Sequence, residues 1–273
     1  MTLPTAAAPD EAAVSHCLLD VEGHVLSAAG AARPYYAAST IKLHVLVAAL
    51  RAAEQGMLDL SAQVPATRTF RGADGRPFTL EGDHLDPTHP EDGEPVQVRE
   101  LLTRMIDRSS NEATNHVLAL LGLEAVAATI ADLALGATRV ERLIGDAAAL
   151  AEGATNETSA ADLATTMLAA VRPVPVAPRG APEPLLAAAS RELARDVFGA
   201  QQIPVIATAL RDGVRWGSKS GWVDGYRHDV AFLGDPDGAA VRVLAVMTAG
   251  MAPAEADRRI TGLVRTLLPD LTA

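Results

Sequence analysis

The spacing of apolar positions changes along this chain, and each change marks a structural element. Two short apolar runs, 14–20 and 24–29, flank Val21-Glu22-Gly23, which predicts a β-hairpin with glycine at its turn. From Ser39 the pattern becomes helical. Ile41, Val45, Ala48 and Ala49 share one face, while Leu43, Leu46, Val47 and Leu50 fill most of the remainder. A helix apolar on nearly every side is predicted to be buried, with Ser39 at its start and Gly56 as its C-cap. Residues 66–96 hold Gly, Pro, Asp, Arg and His without a sustained period, which predicts a long irregular insertion or a short surface hairpin.

Helical patterns follow over 98–106, 111–121 and 123–135, the last two ending at Gly122 and Gly136. Ser159 with Asp162 resembles a capping box opening a helix to about residue 171. A proline-rich break covers 173–184, and a further helix runs to Phe198. Strand patterns return over 214–222, 228–233 and 241–248, with Asp235-Pro236-Asp237-Gly238 as the turn between the last two. An amphipathic helix over 254–268 closes the chain.

Strands, then helices, then strands and a helix predict an α+β fold: one antiparallel sheet of N- and C-terminal strands flanked by helices, packed against an all-helical lobe. No fixed-period repeat or long linker divides the chain. The expectation is a single domain over 1–273, with a sheet lobe from 14–55 and 200–273 and a mainly helical lobe from 56–199.

Composition narrows the function classes. At 273 residues and 49% hydrophobic, the chain has enough apolar surface for a substantial core, and 3% aromatics make that core aliphatic. A net charge of -11 without a concentrated basic patch argues against a nucleic-acid or anionic-membrane partner. No segment has the length of a membrane span, and the first residues show neither a basic start nor a long apolar core, so the expectation is a cytoplasmic protein. Cys17, the single cysteine, excludes an internal disulfide and is expected to be buried and inert. The sequence does not fix an oligomeric state.

The cations carry the sharpest signal. Arginine is used almost throughout, and the only two lysines are Lys42 and Lys219. An ammonium can lose its proton when desolvated, whereas a guanidinium stays charged, so retaining an amine at two places points to chemistry that requires one. Lys42 completes Ser39-Thr40-Ile41-Lys42, an S-x-x-K, and Lys219 opens Lys219-Ser220-Gly221, a K-S-G, with Ser109-Ser110-Asn111 between them. At a helix start, a serine and a lysine three residues later lie on one face, so the amine can reach the hydroxyl and act as its base.

S-x-x-K, S-D-N and K-T-G together are the signature of class A β-lactamases and penicillin-binding proteins, and this chain resembles that superfamily from about residue 14 to 268. The resemblance implies a Ser39 acyl-enzyme, with Lys42 as proton acceptor. Ser109 then relays a proton to the leaving nitrogen, held by Lys219, which also attracts a substrate carboxylate. Asn111 bonds the substrate's side-chain amide, the backbone N–H groups of Ser39 and Trp222 form the oxyanion hole, and Gly221 lines the same binding edge. Ser220 and Arg227 clamp the carboxylate. The implied substrate is a small β-lactam or another acyl amide or ester, with no metal and no organic cofactor. A DD-peptidase, an esterase or a non-turnover penicillin-binding sensor are the alternatives.

Two departures stand out. Ser110 replaces the usual aspartate, which affects the structural hydrogen bonds beneath the loop. The Glu-x-x-Leu-Asn element of class A β-lactamases, whose glutamate activates the deacylating water, is absent. The stretch 139–146 instead offers Asp146 or Glu141. An aspartate is one methylene shorter, so turnover is expected to be slow. Helix capping and a surface pairing with Arg139 or Arg142 are the competing roles of these two carboxylates. His84 and His89 with Asp83 and Asp86 fit a solvated loop better than a metal site. Asp229 fits a structural role. Tyr35 and Tyr36 either wall the pocket or fill the core, and Trp216 and Trp222 are expected to dry the site around Lys219.

Overall fold

The computed structural model describes residues 11–82, 84–174 and 184–272. In chain order, β1 (Ala13–Leu19) and β2 (Val25–Ala29) form the opening hairpin, and β3 (Tyr35–Tyr36) leads into a short 3-10 turn, Ala38–Thr40. Helix α1 (Ile41–Glu54) follows without a break. Residues 63–97 contain β4 (Gln63–Pro65), β5 (Thr69–Arg71), β6 (Pro77–Thr79) and β7 (Pro95–Gln97), with β4 paired to β7 and β5 to β6. The stretch expected to be irregular is thus two small hairpins, one nested in the other.

Helices α2 (Val98–Asp107), α3 (Asn111–Leu121) and α4 (Leu123–Asp132) match the helical patterns, although α4 stops three residues short of Leu135. Then come β8 (Arg139–Val140), α5 (Ala147–Ala151), β9 (Asn156–Thr158), α6 (Ala160–Val171) and α7 (Ala188–Gly199). The proline-rich break falls largely outside the described residues. Strands β10 (Trp216–Val223), β11 (Tyr226–Leu233) and β12 (Arg242–Ala249) and helix α8 (Pro253–Leu267) complete the chain. At the start of α6 the Ser159 hydroxyl accepts the Asp162 N–H at 3.1 Å, but the Asp162 carboxylate turns to Ala137 and Thr138. Only half of the capping box forms.

The N- and C-terminal strands do share one antiparallel sheet, in the order β10-β11-β12-β1-β2. Helices α1, α6 and α7 join one face of it to α2, α3 and α4 through a single apolar core. Helix α8 covers the other face. Helix α1 is buried along eleven of its fourteen residues, as an all-round apolar pattern requires. Its start is therefore a rigid platform. Among the described residues, no single helix is long and apolar enough to cross a membrane. Cys17 is a free, buried thiol pushed up to about 11 by burial.

Candidate active site

Strand β10 is an edge strand of the sheet, and it ends against the turn that carries Ser39. Gly221 is what allows the approach: a Cβ there would lie 2.9 Å from the Ser39 nitrogen and 2.8 Å from that of Thr40. No larger residue fits without moving backbone. Two of the three described non-glycine residues with positive φ flank the same point, Ala38 (47°) before the serine and Ser109 (60°) in the second motif. Such conformations cost on the order of 1 kcal/mol each and persist where the surroundings over-determine them.

The two lysines meet at one hydroxyl. Lys42 Nζ donates to the Ser109 carbonyl at 2.6 Å and to Asn111 Oδ1 at 2.8 Å, and it lies 3.2 Å from Ser109 Oγ. Lys219 Nζ lies 3.2 Å from the same Oγ and donates to the Ser220 carbonyl at 2.6 Å. Both amines are fully buried. Burial pushes Lys42 well below the usual lysine range, the Lys219 cation lowers it further, and Glu112 partly opposes this. Lys219 is pushed down to about 7, by burial and then by Arg227, against Asp229 and Asp107. A neutral amine has two hydrogens and one lone pair. When Lys42 is neutral, the Ser109 carbonyl and Asn111 Oδ1 take both hydrogens and the lone pair is left for a hydroxyl.

The Ser109 hydroxyl that both amines reach borders a cleft of about 570 Å³, lined also by Ser39, Asn111, Ser220, Gly221, Trp222 and Arg227 together with Tyr36, Ile144, Arg142 and Asn156. The sequence-predicted groups from three distant segments therefore converge. Arg227 donates through Nε to Asp257 at 2.7 Å, a bond that orients its guanidinium. Asp229 accepts the Val205 and Ile206 N–H groups at 2.8 Å each, and burial raises it to about 6. It anchors the loop behind Lys219. Ser110 caps α3 by accepting the Ala113 N–H at 3.1 Å and donates to Glu112. The Glu112 carboxylate thus stands in the structural bonds beneath the loop.

Asp146 requires a correction. It borders a second cavity, of about 530 Å³, and is not among the residues lining the Ser39 cleft. One carboxylate oxygen caps α5 by accepting from Ala149 at 3.0 Å, and the other accepts from Ala73 at 2.9 Å. A carboxylate held by two backbone donors outside the Ser39 cleft is a structural clamp. Accordingly, Asp146→Ala is expected to destabilise the fold by about 1–2 kcal/mol through loss of the cap, measured by denaturant unfolding. Glu141 pairs with Arg139 at 3.6 Å, accepts the Thr155 N–H, and borders that same second cavity.

Ile144 points to what sequence reasoning missed. Asn115 grips it from both sides, donating to its carbonyl and accepting its N–H at 2.8 Å each, and Asn156 does similar work on Glu141 and Arg142. Ile144, not Asp146, is the member of this pair that lines the Ser39 cleft. The available signal was an apolar pair, Leu143-Ile144, in a stretch that also holds Arg139, Glu141, Arg142 and Asp146.

Other expectations divide. Tyr36 walls the cleft beneath Arg142, whereas Tyr35 is core and bonds Ser15. Trp222 does not dry the site, since 52% of its surface is exposed. The segment expected to be a solvated loop buries His89 and Asp86, and Asp86 pairs with Arg104 at 3.1 Å. Asp83 lies outside the described residues.

A family model described as the beta-lactamase enzyme family matches residues 5–269. The chain belongs to that family. A beta-lactamase from Sphaerobacter thermophilus DSM 20745 has a similar structure, with a TM-score of 0.75, 25% identity and coverage of 94% of this chain and 90% of that one. PBP-A superposes with a TM-score of 0.73 at 22% identity, over 99% of this chain and 100% of its own. A beta lactamase from Xanthomonas campestris pv. campestris str. ATCC 33913 gives 0.74 at 22%, over 95% and 91%. No curated protein matches the chain in sequence. Family membership and architecture together establish the fold of beta-lactamases and their penicillin-binding relatives.

Proposed function

We propose that this protein is a serine hydrolase acting through a Ser39 acyl-enzyme, that it opens β-lactam rings, and that it releases the acyl group slowly. The observation that carries the reading is the pair of buried amines sharing the Ser109 hydroxyl at the mouth of the Ser39 turn. Lys42 takes the Ser39 proton as Oγ attacks the carbonyl carbon, and the backbone N–H groups of Ser39 and Trp222 receive the developing oxyanion. The ring's carbon–nitrogen bond breaks and the nitrogen takes a proton through Ser109. Lys219, Ser220 and Arg227 hold the substrate carboxylate, and Asn111 its side-chain amide.

Slow release is supported by the wall of the cleft. Among its described lining residues the only carboxylate is Asp224, exposed on the β10–β11 turn, and from the segment 139–146 the cleft receives Arg142, Ile144 and Gly145, none of them a carboxylate. Hydrolysis needs a base in contact with the attacking water. The same observation favours a second reading, a penicillin-binding protein that acylates and stalls or a DD-peptidase of this fold. A mutant of PBP-A forms an acyl-enzyme complex with penicillin-G. A time course with a chromogenic cephalosporin and intact-protein mass spectrometry separates the readings. Product beyond one equivalent supports the hydrolase, a lasting Ser39 adduct with one equivalent of product supports the stalled form, and neither product nor adduct rejects both.

The amines also set a pH profile. Carboxylate binding needs Lys219 charged, so acylation is expected to decline as pH rises through about 7. Lys219→Arg keeps the charge at any accessible pH and is expected to remove that decline, at some loss in maximal rate, in second-order rates of penicillin labelling measured from pH 5 to 9.

A further inference from the structure

Resting on the acyl-transfer reading above, we propose that the group leaving the substrate is bulky and apolar as well as carboxylate-bearing, as in an N-acyl derivative or ester counterpart of a hydrophobic α-amino acid. Among the described residues, few large hydrophobic side chains are exposed, and two of them, Trp222 (52%) and Ile203 (46%), border the catalytic cleft. Single exposed hydrophobics are ordinary. Two at the same end of one cleft are less so.

Their position in the fold gives the end. Trp222 directly follows Gly221 and pairs across the β10–β11 ladder with Arg227, which belongs to the carboxylate clamp. Ile203 lies in the loop after α7, which is tied to the end of α2 by the Gln202 N–H bond to the Asp107 carbonyl at 2.8 Å, two residues before Ser109. Both apolar surfaces thus stand where the departing nitrogen takes its proton and the carboxylate is held. The rest of the lining includes Asn111, Arg142, Asn156 and Ile144. An alanine-sized leaving group leaves the indole and the isoleucine in water, whereas a benzyl or branched aliphatic group covers them. Covering a phenyl-sized surface favours binding by about tenfold or more.

The step is ordinary acyl transfer. Ser39 Oγ loses its proton to Lys42 and bonds the acyl carbon, the bond to the leaving nitrogen or sulfur breaks with its electron pair, and the leaving atom takes a proton through Ser109.

The test uses two thioesters with one acyl group, phenylacetylglycyl, and different leaving groups, 2-mercaptoacetate and 2-mercapto-3-phenylpropanoate. Thiol release and the Ser39 adduct mass are followed on the full chain, with benzylpenicillin as a separate label for the serine. The phenyl-bearing thioester is expected to acylate about tenfold faster or more, and the ratio is expected to fall toward one in Ile203→Ser and in Trp222→Ser. Ile203 is an exposed loop residue, so its variant keeps the test valid if the tryptophan variant misfolds. A ratio near one, a ratio unchanged in the variants, or no thioester reaction while benzylpenicillin labels Ser39 overturns this inference alone. No adduct from any of the three compounds overturns the acyl-transfer reading with it.

Discussion

Replacing Lys42 by methionine is expected to slow acylation of Ser39 by ~10²–10⁴-fold, the range a positioned general base contributes. Methionine matches the length of the stem and suits a fully buried site, so the loss would fall on proton transfer more than on packing. The hydrogen count at Nζ gives the reason. Two acceptor-only partners, the Ser109 carbonyl and Asn111 Oδ1, fix the hydrogens of a neutral amine, and burial together with the Lys219 cation favours that neutral form. The second-order rate of labelling by a fluorescent penicillin measures the effect, with thermal unfolding as the control for fold. If the variant labelled within threefold of the parent, Lys42 would not be the base. Lys42→Arg is expected to be as slow as the methionine variant, because a guanidinium stays protonated and accepts no proton near neutrality.

Much of this arrangement was legible in the sequence because its signals are local. The all-round apolar pattern after Ser39 demanded a buried helix, and a buried helix start holds a serine and a lysine one turn apart in a dry place. The glycine of K-S-G was readable as a motif, although its reason, contact with the Ser39 and Thr40 nitrogens, needed coordinates. What the sequence withheld is set by hydrogen bonds between distant segments. Asn115 reaches across 29 positions to fix Ile144, and Asp146 reaches across 73 to fix Ala73. The sequence offered Asp146 and Glu141 from the segment 139–146, and the fold places both against the second cavity and neither among the residues lining the Ser39 cleft. The polar stretch holding Asp86 and His89 gave a similar false signal. Its two hairpins fold it back so that Asp86 takes Arg104 from α2 while its N–H donates to Glu112 of α3, and composition alone does not reveal such a partner.

Ile144→Glu is expected to accelerate release of the acyl group by about 10²-fold or more, converting a persistent adduct into turnover, again within the range of a well-placed base. The backbone at this position is already rigid, since Asn115 holds both its carbonyl and its N–H, so a new carboxylate would project from a fixed point on the cleft wall. Its surroundings make it a competent base: the Arg142 guanidinium bordering the same cleft favours the ionised form. The same charge acts on the amines in return. A carboxylate near Lys42 raises the lysine's affinity for its proton, so acylation is expected to slow somewhat at neutral pH while deacylation gains. Ile144→Gln separates the two effects, because the amide has the length of glutamate without its basicity. Turnover of a chromogenic cephalosporin and the lifetime of the Ser39 adduct report both steps, and equal adduct lifetimes in the glutamate and glutamine variants would show that the missing base on this wall is not what limits release.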